Sequence, residues 1–491
     1  MNEFVLIGAA TLLLISVLAS KVSDRFGVPA LLLFLLLGML VGSDGPGGIY
    51  FDDPALAQSL GVLALILILF SGGLDTDWNR VRPVLKEGLL LATVGVFTTA
   101  LAVGLFATLV LDFSLVEGLL LGAIVSSTDA AAVFSILRSR GASLKGQLKP
   151  LLELESGSND PMAIFLTISL IQLLTQPDLP LINLLGLFVL QMAVGAAMGY
   201  GMGRVMLTVI NRSKLGYEGL YPVLTLALVL LTFGLTDLLQ GSGFLAVYLV
   251  GIVLNHHDFI HKRSLTRFHD GLAWLMQIAM FLTLGLLVYP SRLVPIIGVG
   301  LLIAAYLMFV ARPISVFVGL LPSALNWREK TFVSWVGLRG AAPIILATFP
   351  LISRLPQADL IFNVVFFIVL TSVLLQGTSL TQVARWLKMD APAEPKRLYP
   401  IEYMPMTGLK SELKELTIPA GSTLSGKAVV ELGLPPGLLI VLIARGDDFV
   451  QPGGGTVVQG GDTLLVLSDK KTYAEVLARF NDSGPPAGSV S

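Results

Sequence analysis

LLLGAIVSSTDAAAVFSIL at residues 119–137 and ESGSNDPMAIFLTISLIQLL at 155–174 are the stretches on which the reading of this chain turns. Both are overwhelmingly apolar, and a helix that crosses a bilayer needs roughly 17–25 such residues. Yet the first carries Thr128-Asp129, and the second opens on Glu155-Ser156-Gly157-Ser158-Asn159-Asp160-Pro161. Carboxylates are costly in hydrocarbon and are kept mainly where ions or protons are handled. Three acids with flanking hydroxyls in adjacent apolar runs point to a membrane protein that binds a small cation.

The composition agrees. The chain has 491 residues, 54% hydrophobic and 13% charged, against about a quarter charged in an ordinary soluble domain. Its mean hydropathy is +0.82. Lys plus Arg (32) nearly equals Asp plus Glu (33), so no basic surplus suggests nucleic acid. With no cysteine, disulfides, thiolate metal sites and cysteine nucleophiles are excluded. His256, His257, His261 and His269 fall with Lys262, Arg263 and Arg267 in what reads as one polar loop, a solvated segment rather than a zinc site. Met1-Asn2-Glu3 lacks the basic lead of a cleavable signal, so the first apolar run is expected to remain as a span.

Thirteen spans are expected, at 3–20, 28–43, 57–74, 86–110, 115–137, 152–174, 181–209, 217–239, 243–255, 271–289, 294–320, 330–350 and 358–386. Alternate loops are basic, from Lys21 and Arg25 through Arg138, Arg140, Lys145 and Lys149 to Arg385 and Lys388, whereas the other set holds only Arg292 and Arg354. Positive loops stay inside. The C-terminus is therefore expected in the cytoplasm and, with an odd count, the N-terminus outside. An odd count also admits two inverted halves of six spans around a seventh, a common transporter plan with interrupted helices. Span five, with Thr128-Asp129, then pairs with span twelve, with Gly337-Leu338-Arg339-Gly340-Ala341-Ala342-Pro343.

The composition changes near residue 390. Residues 1–390 read as the membrane domain and 391–399 as a linker opening on Ala391-Pro392-Ala393-Glu394-Pro395. Residues 400–480 read as a small soluble α/β domain, with β-like runs LKELTI, LLIVLIAR, DFVQP and DTLLVLS before the helical KKTYAEVLARF. Residues 481–491 read as a disordered tail.

Sodium and potassium prefer oxygen ligands. Asp160, Asp129 and Glu155 offer carboxylates, and Thr128 and Ser156 offer hydroxyls. On a helix Ser156 shares a face with Asp160, and Glu155 with Asn159. An unwound turn in span five would free carbonyls such as that of Thr128, which is tolerable beside a protein-lined cavity. In such a site Asp160 holds either a proton or, when ionised, a metal cation. If the empty charged site crosses poorly, the two fluxes become coupled. The competing reading is that these acids pair with buried bases to hold helices together, for which Arg339 and Arg312 are available. Arg339 reads as a structural counter-charge, since a guanidinium is no ligand for a cation. Glu153 faces away from Glu155 and has no assigned role. Gly195, Gly199 and Gly203 read as a helix-packing stripe.

Ser126-Ser127-Thr128-Asp129, then Glu155 to Pro161, then Gly337-Leu338-Arg339-Gly340-Ala341 occur in that order. This set resembles the NhaP branch of the monovalent cation/proton antiporters, in particular bacterial potassium/proton antiporters that end in a TrkA-C (RCK_C-like) module. The resemblance implies thirteen helices with inverted repeats, a homodimer in the bacterial inner membrane, and a mobile ion-carrying core. It implies that Asp160 carries ion and proton, that Thr128, Asp129, Glu155 and Ser156 line the site, and that Asn159 orients the unwound region by hydrogen bonding. It also implies that the Asn159-Asp160 pair goes with electroneutral exchange of one K+ (or Na+) for one H+. Many relatives carry an acid in span three where this chain has Ser71, so Arg339 needs another partner, for which Glu155 is the candidate. The C-terminal module lacks G-x-G-x-x-G. No cofactor is expected there, but a small-molecule effector or module dimerisation is.

Two other classes fit less well. A potassium channel would need a TVGYG-like filter, which is absent. An enzyme would need metal-spaced histidines, a Ser-His pairing or a phosphate loop, and none is found.

Overall fold

The computed structural model describes residues 3–26, 29–178, 180–392, 411–419, 422, 424–446 and 448–482. The chain divides into two compact units, Met1–Pro395 and Lys396–Ser491.

Helical segments make up nearly all of the first unit. They are α1 (Glu3–Phe26), α2 (Ala30–Val41), α3 (Pro54–Asp75), α4 (Trp78–Leu111), α5 (Leu115–Ile124), α6 (Ala130–Ser139), α7 (Leu148–Thr175) and α8 (Leu181–Arg212). There follow α9 (Leu220–Leu238), α10 (Gly243–His256), α11 (Lys262–Leu287), α12 (Pro290–Gly319), α13 (Trp327–Trp335), α14 (Ala341–Ile352) and α15 (Ala358–Leu387). Seven of these are long and apolar enough to cross a membrane. Their starts follow from local chemistry. Pro54 opens α3 behind Asp53, whose carboxylate accepts the Leu56 N–H at 2.9 Å. Ser114 with Glu117, and Asn326 with Glu329, close capping boxes on α5 and α13.

Three long helices each contain one π turn: Leu91–Gly95 in α4, Leu307–Ala311 in α12 and Val373–Gly377 in α15. Such turns rotate the residues that follow onto a new face, frequently at functional sites. Packing sorts the helices into two groups. One joins α2, α3, α8, α9, α10 and α11; the other joins α4, α5, α7, α12 and α15 around the interrupted pairs α5–α6 and α13–α14. Within the first group, α8 lies close on α10 through its small-residue stripe. A side chain at Gly199 would come within 2.8 Å of Ala246 O, and one at Gly203 within 2.8 Å of Val253 Cβ.

Two sequence expectations need correction. The four histidines do not share a loop. α11 begins at Lys262, nine residues before the expected edge of span ten at 271, because its first turns are polar yet still helical. His269 thereby lies inside α11, buried between Phe70 and Phe268 and bonded to Thr225 Oγ1 at 2.8 Å. The linker also begins later than residue 391. Strand β1 (Ala142–Leu144), just after α6, pairs antiparallel with β2 (Asp390–Pro392), so Ala391 and Pro392 face Ser143 and Ala142. Residues 393–399 lie outside the described residues, as do 400–410 and 483–491 of the expected domain and tail.

The second unit is a four-stranded antiparallel sheet in the order β3 (Glu412–Thr417), β6 (Thr463–Ser468), β4 (Leu439–Arg445), β5 (Asp448–Val450). Helix α16 (Lys470–Asp482) follows β6. Alternating residues of the central strands, Ile443, Leu464 and Val466, join Leu416, Ile418 and Val476 in one apolar core.

Candidate ion-binding site

Two helical runs are interrupted, and the interruptions touch. Residues 125–129 separate α5 from α6, and 336–340 separate α13 from α14. The extended stretches meet where the Asp129 N–H donates to Leu338 O at 2.8 Å. Each break has a local cause. Asp129 restarts the helix as the N-cap of α6, its Oδ1 accepting the Ala132 N–H at 3.0 Å. Gly340 caps α14, and a side chain there would strike the Asp129 carboxylate. Pro343 sits in the first turn of α14, where its missing N–H costs nothing. Two helix N-termini with positive ends and two C-termini with negative ends thus converge on one small region.

Helix α7 runs past this crossing without a break, through Pro161, and presents the second motif to it. The Ser127 hydroxyl donates to Asp160 Oδ1. Asn159 Nδ2 donates to Thr128 Oγ1 at 2.6 Å. Ser156 Oγ donates to Thr128 O at 3.0 Å and accepts the Ala130 N–H at 3.1 Å. Asp160, Asn159, Glu155 and Thr128 are all buried. All five residues expected to bind the ion (Asp160, Asp129, Glu155, Ser156 and Thr128) lie on α7 or the α5–α6 break, and Asn159 bonds to that break.

The two arginines are placed differently from expectation. Arg339 does not pair with Glu155. Its Nη1 donates to Ser126 O at 2.7 Å and to Ser127 O at 2.6 Å, and its own N–H is held by Ser372 Oγ at 3.2 Å. It is the second break's clamp on the backbone of the first. Glu155 pairs instead with Arg312, which directly follows the π turn of α12, at 2.6 Å between Nη2 and Oε1. Both side chains are at most 3% exposed. One oxygen of the pair, Glu155 Oε2, has no hydrogen-bond partner among the described residues, nor has Asn159 Oδ1 one turn further along α7. Two buried acceptors without donors on one helix face are costly. A cation is the kind of guest that satisfies them.

Sequence reasoning missed Ser127 as a site residue and named Arg312 only as available. Ser127 adjoins Thr128 within the quoted motif, so the signal was present. Nothing in the sequence shows that a π turn aims Arg312 at Glu155.

Residues 10–386 match the sodium/hydrogen exchanger transmembrane family, and residues 413–481 match the TrkA-C domain. The chain belongs to the sodium/hydrogen exchanger family. This exchanger is 42% identical to the K+/H+ antiporter NhaP of Alkalimonas amylolytica, over 95% of this chain and 82% of the relative. It is also 42% identical to the K+/H+ antiporter NhaP2 of Shewanella sp. (strain ANA-3), over 100% of this chain and 85% of the relative. Identity to the Na+/H+ antiporter 1 of Methanocaldococcus jannaschii is 30%, over 71% of this chain and 83% of that one. A solved structure of the M. jannaschii sodium proton antiporter superposes with a TM-score of 0.69 at 26% identity, over 79% of this chain and 99% of that one.

Proposed function

We propose that the exchanger moves K+ against H+ by alternating access across the bacterial inner membrane, one cation for one proton. Asp160 carries either guest, and Thr128, Asp129, Glu155 and Ser156 line the site. Asn159 and Arg339 hold the unwound backbone. The observation that carries this reading is the set of buried oxygens at the crossing, two of them without donors among the described residues, on the same helix as the buried Asp160 carboxylate. Glu155 is charge-paired with Arg312 and Asp129 caps α6, which leaves Asp160 to take one positive guest at a time. The 42% identical K+/H+ antiporters favour potassium; the Na+/H+ antiporter of M. jannaschii supports sodium as the second reading.

The finer architecture belongs to the same proposal. Taking α5–α6 and α13–α14 as one interrupted span each, the fifteen helical segments of the first unit among the described residues are compatible with thirteen passes. Spans four and eleven, equivalent under the inverted repeat, both contain π turns, which favours that repeat. The N-terminus lies outside, the C-terminal TrkA-C module lies in the cytoplasm and takes a small-molecule effector, and the exchanger works as a homodimer.

The test is transport in proteoliposomes with K+, Na+ and Li+ across a range of pH at clamped voltage. The expected result is K+-driven proton movement without net current. Alkali-metal flux with no opposing proton flux would overturn the proposal, and a strong preference for Na+ would select the second reading.

A further inference from the structure

We propose that the Ser127 hydroxyl is itself an oxygen ligand of the transported cation, beside Asp160. This rests on the exchange reading above and adds a residue to it. Ser127 lies in the first break, 1% exposed, with its Oγ on Asp160 Oδ1. Its peptide is pinned independently, because Arg339 Nη1 donates to the carbonyls of Ser126 and Ser127. The side chain is therefore aimed at the carboxylate from a backbone that the second break holds still.

The neighbouring hydroxyls each keep a free lone pair, but their bonds run to other groups. Ser126 Oγ closes the end of α5 by donating to Ala123 O at 2.6 Å. Ser156 Oγ uses its proton on Thr128 O and a lone pair on the Ala130 N–H. Thr128 Oγ1 accepts from Asn159 Nδ2. Of these four, the hydroxyl bonded to Asp160 is that of Ser127. A hydroxyl has one proton and two lone pairs. It donates to an ionised Asp160 and accepts from a protonated one. With a metal ion against the carboxylate, rotation about Cβ–Oγ turns a lone pair to the cation, and hard monovalent cations take such oxygens. One side chain thus serves the empty, proton-loaded and cation-loaded states without moving the clamped backbone.

The experiment compares Ser127→Cys with Ser127→Ala in the full chain. The exchanger has no cysteine of its own, so the introduced thiol is the sole one. Sulfur keeps the shape of the side chain but favours soft cations over hard ones. Both variants are expected to raise the K+ concentration for half-maximal proton movement, by about tenfold for one weakened ligand. The cysteine variant, relative to the alanine variant, is expected to shift preference from K+ toward the softer Tl+. K+ is also expected to slow reaction of the thiol with a methanethiosulfonate reagent in detergent, a readout that needs no transport. Unchanged half-saturation in both variants overturns the proposal, and so does an equal K+/Tl+ preference in the two, which would make Ser127 a shaping residue only. If the alanine variant fails to fold, a cysteine variant with wild-type K+/Tl+ preference overturns it. A wild-type chain without cation-coupled proton movement overturns the exchange reading instead; the thiol reaction then decides Ser127, and a rate indifferent to K+ sinks it.

Discussion

Arg312–Glu155 in the membrane unit and Arg445–Asp462 in the C-terminal unit are the same two chemistries joined in two environments. Arg445 meets Asp462 through two parallel bonds, Nε to Oδ1 at 3.0 Å and Nη2 to Oδ2 at 2.8 Å. Arg445 also donates to Val457 O at 2.8 Å, and Asp462 also accepts the Gln459 N–H at 2.8 Å. That pair is saturated, and the arginine is partly exposed. Arg312 meets Glu155 through one short contact in a fully buried place, and Glu155 Oε2 and Arg312 Nε keep no hydrogen-bond partner among the described residues. The saturated pair ties the ends of the two central strands, β4 and β6, whereas the unsaturated one leaves Glu155 Oε2 as a spare acceptor one turn before Asn159 on α7.

The largest effect expected bears on what that spare acceptor serves. Asp160→Asn should reduce cation-coupled proton movement to the empty-liposome background while the protein remains folded and inserted. Wild-type exchange in this variant would return the whole cluster to a structural role. Next in size is the arginine itself. Arg312→Leu leaves Glu155 as a buried charge without its partner and should cost about 3–5 kcal/mol of stability. Glu155→Gln combined with Arg312→Met should recover most of it in thermal melts. A double variant as unstable as the single one would mean that Arg312 matters through packing.

In the C-terminal unit, Asp462→Asn removes a charge-assisted fork and should cost about 1–3 kcal/mol. Hydrogen exchange should show loosening confined to β4 and β6. Loosening that spread to the α5–α6 break would end the contrast drawn between the two pairs. The smallest structural effect is expected at Asp129. Asn caps a helix about as well as Asp, so Asp129→Asn should leave the melting temperature within error. It should still weaken exchange or move its pH profile, and a silent variant would reduce Asp129 to a cap.

Much of this was legible in the chain. The three motifs stand in the order in which the site assembles them, and the acids betray themselves by their apolar surroundings. The strands LKELTI, LLIVLIAR, DFVQP and DTLLVLS fall on β3, β4, β5 and β6, because alternating apolar residues between Gly and Pro punctuation leave few other structures. The errors have physical causes. His269 reads as a loop residue because positive charges precede it, yet a helix can carry charges into water and bury a histidine one turn later. Glu155 is the candidate partner of Arg339 in the sequence because Ser71 stands where many relatives carry an acid. The backbone carbonyls that claim Arg339 exist as acceptors only once a helix has unwound, and unwinding is not written in residue types.

The sequence by itself determined that apolar helices would cross a membrane and that Asp129, Glu155 and Asp160 would have to justify their burial. The energy of a charge in hydrocarbon depends on residue identity and segment length, and both can be read along the chain. Only the tertiary structure decided which base answers which acid, and which hydroxyl faces Asp160. Those choices depend on the rotation of α12 after its π turn and on two broken helices meeting backbone to backbone, distances set by packing between segments far apart in the chain.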